Sequence, residues 1–275
     1  MINLIENKKS FNGFQKVFKH ESLSNKCSMH FAVYEPDHSK NCPVLYFLSG
    51  LTCTEQNFIQ KSGFQRFASD YNIAVVVPDT SPRGKDLPDI EDFKLGQGAG
   101  FYINATNGVW SKNYNMYDYI VKELPEIIDT NFKFSKKQIG IFGHSMGGGG
   151  AIQCALKNPK YFKSLSAFSP ICSLYKSNLA TLALKNYFNN DSNLINYFDP
   201  IYLLKKYNNL FEDILIDVGS KDEFIDDLFI NDFVNECERV NQKVQLRKHI
   251  DYGHDYYFVQ SFIKDHFDFH SNKLN

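Results

Sequence analysis

A strand-like segment that runs directly into a glycine-rich turn and a helix constrains this chain more than any other feature. The short, mostly apolar segment 138–142 leads into Gly143-x-Ser145-x-Gly147, and residues 151–156 continue as a helix. This is the nucleophile-elbow pattern, in which a tight turn raises a serine above the end of a sheet. Glycines are needed because a Cβ on either flank would collide with the neighbouring backbone. The pattern alone also fits a glycine-rich helix entry with a serine N-cap.

The segments before the elbow predict an α/β fold. Residues 43–48 and 73–77 are continuous apolar runs, typical of parallel strands that are buried on both faces. Residues 13–20 alternate between apolar and polar, and together with residues 29–34 they predict an antiparallel edge. A chain of 275 residues with 43% apolar residues is within the range of one domain. We therefore expect a single α/β-hydrolase domain over residues 1–275, with a mostly parallel central sheet, helices on both faces and an antiparallel N-terminal edge.

The segments between the strands are predicted to be helical or irregular. Residues 58–71 have helical spacing, and so do residues 117–130, where Pro125 predicts a kink or a break just before it. Residues 80–115 show little periodicity, which is typical of a functional or packed loop. Residues 171–208 are predicted to be an irregular to helical excursion over the sheet.

Charge and cysteine content exclude several classes of function. Thirty basic and thirty-one acidic residues leave a formal net charge of −1, so no basic face for nucleic acid is expected. The first residues lack the apolar core of a signal peptide, and no later stretch approaches the length of a membrane span. Six scattered cysteines form no metal-binding pattern. We expect a cytoplasmic protein that binds no nucleic acid, membrane or metal.

The two partners of a serine nucleophile are sought on loops that follow later strands. In an α/β-hydrolase the triad appears in the chain order serine, acid, histidine. Asp222 and His254 follow the last two predicted strands, whereas their rivals Asp217 and His249 fall within those strands. We predict that Ser145 attacks, that His254 transfers the proton, and that Asp222 orients the imidazole.

The other histidines are expected to have no part in catalysis. In the sequence they lie on the helix predicted at residues 257–270, next to the nucleophile, or before the first buried strand. We expect His266 and His270 to be solvated, His144 to pack or to bond structurally, and His20, His30 and His38 to lie at the surface or at an edge.

Acyl transfer also needs N–H donors for the oxyanion that forms in the transition state. One donor is the N–H after the nucleophile, and the other comes from the loop after an early strand. These donors are predicted to be Met146 and Leu51, and Gly50 allows the backbone beside Leu51 to bend inward.

Six segments resemble the signature loops of one family, the S-formylglutathione hydrolases (esterase D). The similarity extends over nearly the whole chain, and its motifs are specific to the family. The segments are Leu48-Ser49-Gly50-Leu51-Thr52-Cys53-Thr54-Glu55-Gln56-Asn57-Phe58, Asp79-Thr80-Ser81-Pro82-Arg83-Gly84, Gly98-Ala99-Gly100-Phe101-Tyr102, Asn113-Tyr114-x-Met116-Tyr117, Gly143-His144-Ser145-Met146-Gly147-Gly148 and Tyr252-x-His254-x-Tyr256-Tyr257-Phe258.

The resemblance implies a cofactor-free cytosolic thioesterase, usually a homodimer, that hydrolyses S-formylglutathione to glutathione and formate. It also implies Asp222 and His254 as triad members at matching positions. Cys53 matches a family cysteine near the nucleophile that is associated with sensitivity to thiol reagents. Trp110 matches the tryptophan of a family Pro-Trp pair, and Val109 stands in place of the proline. Both are candidate substrate-binding residues. A thiolate at Cys53 would lie near the oxyanion donors, which would raise its reactivity; the alternative is a small buried hydrophobic side chain.

Two segments depart from the family pattern, residues 93–96 and residues 173–188. Both belong to the rim of the site, so the departures concern the choice of substrate. A general carboxylesterase for short acyl esters is therefore one alternative. A hydrolase fold that only binds a partner is another, and the intact triad pattern argues against it.

Overall fold

The computed structural model describes residues 1–207 and 209–274, and its nine strands form one sheet. The strands are β1 Ile2–Lys9, β2 Gly13–Ser22, β3 Cys27–Pro36, β4 Val44–Leu48, β5 Ala74–Pro78, β6 Ile139–His144, β7 Ser164–Phe168, β8 Ile214–Gly219 and β9 Val244–His249. Their order across the sheet is β1-β2-β3-β5-β4-β6-β7-β8-β9.

The sheet is antiparallel at its N-terminal edge and parallel elsewhere. β1, β2, β3 and β5 pair in antiparallel fashion, and every neighbouring pair from β5 across to β9 is parallel. This confirms the predicted sheet, apart from β1, which the sequence did not reveal. Six of its eight side chains are exposed and two are half-buried, so it carries no apolar alternation that could mark it.

Helices cover both faces of the sheet. The α-helices are α1 Glu55–Lys61, α2 Gln65–Asp70, α3 Met116–Asp118, α4 Leu124–Asn131, α5 Met146–Lys157, α6 Asn178–Phe188, α7 Ser192–Asn196, α8 Pro200–Lys206, α9 Ile225–Leu228, α10 Ile230–Arg239 and α11 Tyr256–Leu274. Within the described ranges, none of them is long and apolar enough to cross a membrane.

Alternation along the buried strands builds two cores. In β4, Tyr46 and Leu48 face one core, whereas Leu45 and Phe47 face the other. Successive side chains of a strand point to opposite faces, so a wholly apolar strand needs cover on both. The first core includes α5, α6, α8 and α10, and the second is closed by α1, α2 and α11. This places α5, the helix that follows the elbow, directly beneath the first face.

Two predicted helices are interrupted in the structure. The segment predicted at 58–71 is divided into α1 and α2 by Gly63, whose φ of +66° lies in the left-handed region that glycine tolerates. The segment predicted at 117–130 contains a π-helical turn, Tyr119–Glu123, immediately before Pro125. A proline cannot donate the usual backbone hydrogen bond, and the wider turn accommodates this loss. The predicted disturbance near Glu123 is therefore a π turn inside a continuous helical segment.

A buried polar network joins α11 to the central strands. Asp217 on β8 is fully buried and accepts two hydrogen bonds from Arg247, each of 2.6 Å. Its Oδ2 also lies 3.3 Å from Nε2 of His266. The Oγ of Ser166 lies 2.7 Å from Nδ1 of His266 and 2.8 Å from Nε2 of His270. Every member of the network thus has a hydrogen-bond partner, as buried polar groups require.

This network overturns the expectation that His266 and His270 are solvated, because both are fully buried. The expectation of a surface or edge position is also wrong for His20, which is 4% exposed and lies with Nε2 3.0 Å from the hydroxyl of Tyr119. Each of these histidines is buried by a partner distant in the sequence, which local pattern does not reveal.

We expect the free energy of unfolding to fall as the pH drops from 7.5 to 5.5. Burial lowers the pKa of four histidines, which are therefore neutral in the folded protein: His20, His144, His266 and His270. In the unfolded chain they bind protons below about pH 6.5, so the stability that they contribute is complete above that pH and is lost below it. The upper limit is about 1.4 kcal/mol per pH unit for each group.

Urea unfolding at a series of pH values measures this slope. Asp79 acts in the opposite sense, because burial raises its pKa to about 6, but it is one group against four. The free energy of unfolding of His20→Phe should depend less steeply on pH than that of the wild type, because this variant lacks one of the four histidines that bind a proton on unfolding. A stability that is constant or rises over this range would contradict the assignment of neutral buried histidines.

Candidate active site

Ser145 stands at a sharp turn between β6 and α5. Its φ of 58° and ψ of −121° lie outside the regions that ordinary residues prefer. A Cβ on Gly143 would lie 2.2 Å from the carbonyl oxygen of Gly147, and one on Gly147 would lie 2.0 Å from that of Leu48. Both positions therefore require glycine. The Ser145 side chain makes no capping hydrogen bond to α5, so the N-cap interpretation does not describe this turn.

His254 and Asp222 are brought together by the loops that follow β9 and β8. The Nδ1 atom of His254 lies 2.8 Å from Oδ2 of Asp222, whose residue is 3% exposed. The other carboxylate oxygen accepts the N–H of Phe224 at 2.9 Å. Burial alone would raise the pKa of Asp222, but the hydrogen bond and charge of His254 outweigh it and hold this pKa below its usual value. The carboxylate is thus ionised and fixes the imidazole with Nδ1–H toward it.

The rival acid and the rival histidine are engaged elsewhere. Asp217 is held by Arg247 and His266 in the buried network, and Nε2 of His249 lies 3.2 Å from its Oδ2. Among the described residues, Asp217 makes no hydrogen bond to His254. The structure therefore brings Asp222, and not Asp217, to the histidine of the C-terminal loop.

Ser145 and His254 line the same cavity, which has a volume of about 210 Å³. Its mouth is apolar, with Phe93, Leu179 and Phe224 among the lining residues. The Ser145 hydroxyl and the His254 ring both border this cavity, but among the described residues they form no hydrogen bond with each other. Such bonds are often long in unliganded enzymes and tighten when substrate is bound. The cavity has room for a small acyl group.

The backbone of the predicted oxyanion loop lies against the nucleophile. A Cβ on Gly50 would lie 3.1 Å from Cβ of Ser145, so Gly50 allows this close approach. Leu51 follows it and lines the cavity. Met146 is the first residue of α5, so its N–H is free of intrahelical partners. In the part of the chain that the structure describes, neither N–H has a hydrogen-bond acceptor, and both remain available to an oxyanion.

A set of polar residues that sequence reasoning did not assign holds this loop in place. The Arg83 guanidinium donates to the carbonyl oxygen of Cys53 at 2.9 Å, and the Thr80 hydroxyl donates to the same oxygen at 2.5 Å. Arg83 is itself paired with Asp79 at 3.0 Å. On the other side, the hydroxyl of Tyr102 donates to the carbonyl oxygen of Ser49 at 2.8 Å. These residues lie in two of the segments that resemble the signature loops of the family, and this position could have indicated their role.

His144 packs against the proposed base, in keeping with the structural role expected for it. The two imidazole rings are 4.7 Å apart between centroids. Burial, reinforced by the neighbouring His254, lowers the pKa of His144 to about 3. His144 is therefore neutral at physiological pH and adds no positive charge beside His254.

Phe224 is a further residue of the site that the sequence did not single out. Its ring meets the His254 ring edge to face at 4.9 Å. Its position two residues after Asp222 could have indicated that it belongs to the site. Phe93 and Leu179 belong to the two rim segments that depart from the family pattern, and the structure places both at the cavity mouth.

Trp110 does not line the cavity. It is 8% exposed and packs against Tyr114 at 5.1 Å and Tyr187 at 5.4 Å between ring centroids. The hydroxyl of Tyr187 accepts the N–H of Gly96 and donates to the carbonyl oxygen of Ala99, each at 3.0 Å. Trp110 therefore contacts the residues that shape the rim rather than the space that substrate would occupy.

Cys53 lines the cavity, but its thiol is not activated. Burial raises its pKa above the usual value, although Lys61 and other neighbours oppose this. The expectation of an activated thiol is therefore wrong, because desolvation of the thiolate outweighs the lowering of its pKa by Lys61, Arg83 and Gly50. Its position still allows an adduct on the sulfur to obstruct the site.

We expect maleimide to inactivate the enzyme slowly at pH 7 and faster as the pH rises, because the thiolate is the reactive form. Substrate should protect, and Cys53→Ser should remain active and become resistant. Residual activity and the rate of modification, measured side by side for both proteins, test this. Cys172 is a fully buried internal reference, and equal sensitivity of the two proteins would show that Cys53 only packs.

Residues 22–269 match the esterase family described as "Putative esterase". The S-formylglutathione hydrolases of Bos taurus and Mus musculus are 46% and 45% identical over 276 aligned residues, with 98% of each chain covered. The solved S-formylglutathione hydrolase of Agrobacterium tumefaciens superposes with a TM-score of 0.97 at 41% identity, covering 99% of this chain and 100% of the other.

The fold, the elbow serine and the buried histidine–carboxylate pair define the class of α/β-hydrolase esterases, which confirms the predicted fold class. Within that class, the chain belongs to the S-formylglutathione hydrolase family. The resemblance inferred from the signature loops is confirmed.

Proposed function

We propose that this protein is a serine thioesterase that hydrolyses S-formylglutathione to glutathione and formate. The observation that carries the proposal is the 2.8 Å contact between His254 and Asp222 beside a cavity that also contains the strained elbow serine. The names of its relatives support the choice of substrate. Ser145 is the nucleophile, His254 the general base and acid, and Asp222 the residue that orients the imidazole.

In the first half-reaction, Nε2 of His254 takes the proton from Ser145 as Oγ attacks the formyl carbon. The carbonyl oxygen becomes negatively charged and is stabilised by the N–H groups of Leu51 and Met146. The carbon–sulfur bond then breaks, and His254 returns the proton to the leaving sulfur. This step yields glutathione and a formyl ester on Ser145.

In the second half-reaction, water replaces the serine. His254 takes a proton from water as its oxygen attacks the formyl ester, and the same N–H groups hold the oxyanion. The ester bond to Oγ breaks, the proton returns to Ser145, and formate leaves. The chemistry is completed by side-chain and backbone groups, so the proposal includes no metal and no cofactor.

Initial rates on S-formylglutathione, S-acetylglutathione and p-nitrophenyl acetate test the proposal. We expect kcat/KM to be largest for S-formylglutathione. A larger value for p-nitrophenyl acetate would favour the alternative, a general carboxylesterase, for which the apolar mouth formed by Phe93 and Leu179 is the relevant observation. Turnover of none of the three by folded protein would favour a binding protein.

The proposal extends to the setting of the enzyme. We infer a single-domain protein over residues 1–275, since one sheet runs through both halves of the chain. We further infer that it acts in the cytoplasm as a homodimer; this rests on the family resemblance. Sedimentation velocity on the purified protein would distinguish a dimer from a monomer.

A further inference from the structure

A second cavity lies beside the catalytic one and has no role in the chemistry described above. Its volume is about 540 Å³, and it is lined by Gln60, Lys61, Asp255, Tyr256, Tyr257 and Gln260. The catalytic cavity, at about 210 Å³, suits a formyl group and the atoms next to it. Pockets that bury a whole ligand are larger, about 300 to 1,000 Å³. A tripeptide thioester therefore needs additional space, and the second cavity is adjacent.

Tyr256 forms the wall between the two cavities. It lines the second cavity, and its ring lies 5.8 Å from the ring of His144, which lines the first. Its hydroxyl is buried and has no hydrogen-bond partner among the described residues. Tyr256 thus joins the lining of the second cavity to a residue that lines the first.

The position of the leaving sulfur indicates which half of the substrate extends toward the second cavity. His254 must hand its proton to the sulfur as the carbon–sulfur bond breaks, so the sulfur has to lie on the His254 side of the acyl carbon. Asp255, Tyr256 and Tyr257 directly follow His254 and line the second cavity. The thiol half of the substrate is therefore on the side of this cavity, and the acyl half is on the side of the oxyanion donors.

The charges in the second cavity match one end of that thiol half. Lys61 is exposed, its ammonium lies 5.9 Å from the centroid of the Tyr256 ring, and within the described ranges it has no acidic partner. Asp255, of opposite charge, lines the same cavity; its Oδ1 accepts the N–H groups of Tyr257 and Phe258 at the start of α11, and its Oδ2 has no hydrogen-bond partner within the described ranges. The γ-glutamyl end of glutathione carries an ammonium and a carboxylate on one carbon, whereas its glycine end carries a carboxylate alone. Opposite charges in one cavity fit the first arrangement.

We propose that this cavity binds the γ-glutamyl end of the thiol half, with Lys61 pairing with its carboxylate and Asp255 with its ammonium. The inference rests on the proposed function, because it concerns the same substrate. It explains how an enzyme with a small acyl cavity selects a glutathione thioester. Selectivity resides in the leaving group, and the formyl group is selected by size.

Lys61→Gln tests the proposal with two substrates that share the same thioester. On S-formylglutathione we expect KM to rise about threefold to tenfold with kcat little changed, since the lost contact is a charge-assisted bond at a partly exposed site. On the S-formyl derivative of 2-mercaptoethanol, which has no peptide, neither constant should change. Lys61→Glu should raise KM further on S-formylglutathione alone.

Lys205→Gln is the matched control. Lys205 is also exposed and lacks an acidic partner within the described ranges, but it lies on α8 and lines neither cavity. It should leave both substrates unaffected. S-formyl-γ-glutamylcysteine should retain the effect of Lys61→Gln, and S-formyl-N-acetylcysteinylglycine, whose blocked amine prevents transfer of the formyl group from sulfur to nitrogen, should lose it.

Three results would overturn the inference: an unchanged KM in Lys61→Gln, an equal change on both S-formyl substrates, or an effect that follows the glycine end. If the wild type did not hydrolyse S-formylglutathione, the proposed function itself would fail. The two failures are therefore distinguishable.

Discussion

Replacing Ser145 with alanine is expected to lower kcat on S-formylglutathione by a factor on the order of 10⁶, the loss seen when the nucleophile of a serine hydrolase is removed. The Ser145 hydroxyl is the only nucleophile in the proposed mechanism, and among the described residues no other side chain occupies its position at the turn between β6 and α5. The measurement is the steady-state rate of purified Ser145→Ala, with formate or free thiol as the product followed.

The fold should survive this substitution. The backbone of Ser145 is held by its N–H, which donates to the carbonyl oxygen of Phe168 at 2.9 Å, and by its carbonyl oxygen, which accepts the N–H of Gly149 at 3.1 Å. These contacts do not involve the hydroxyl, so the melting temperature should change little. Retention of more than about a tenth of the wild-type rate by folded, uncontaminated protein would exclude Ser145 as the nucleophile.

Asp222→Asn is expected to lower kcat by a factor of about 10⁴, by analogy with the same change in a serine protease. The carboxylate can only accept a hydrogen bond, so it selects the tautomer in which Nδ1 of His254 is protonated and Nε2 is free. An amide can donate instead, and it then favours the tautomer that cannot take the proton from Ser145. Steady-state kinetics of Asp222→Asn measure the loss.

Asp217→Asn is the matched control for this prediction. Asp217 lies on β8, the strand that leads into the loop of Asp222, and it is also buried. The histidines that it contacts are His266 and His249, and not His254. The substitution leaves Arg247 without its buried carboxylate and should lower the melting temperature while leaving catalysis largely intact. If Asp217→Asn abolished activity in folded protein and Asp222→Asn did not, the triad acid would have been misassigned.

The features that were predictable from the sequence are those with a local or topological cause. The glycines at 143 and 147 are required by contacts within one turn, so their spacing is visible in the chain itself. Asp222 and His254 could be placed because parallel strands end at a common edge, where their exit loops meet. The antiparallel edge formed by β2 and β3 was visible in the alternation of its side chains.

The features that were missed depend on partners distant in the sequence. His266 and His270 resemble solvated residues of an amphipathic helix until Ser164, Ser166 and Asp217 are brought beneath them by the sheet. Cys53 was expected to be activated by nearby N–H groups, but the degree of desolvation at its sulfur is set by the packing of several loops. The division of the helix at Gly63 was equally hidden, because helical periodicity continues on both sides of it.

The position of α11 has a consequence for how the protein is made. This helix is the most C-terminal element described, yet it supplies His266, His270 and Leu274 to the interior, and the carbonyl oxygen of Leu274 accepts a hydrogen bond of 2.6 Å from Gln138, just before β6. Synthesis proceeds from the N-terminus, so β4 to β8 leave the ribosome while the part of the second core that α11 covers is still exposed. The nascent chain therefore exposes apolar surface of its central strands until α11 has been synthesised, and it is in this interval that a chaperone has the most apolar surface to protect.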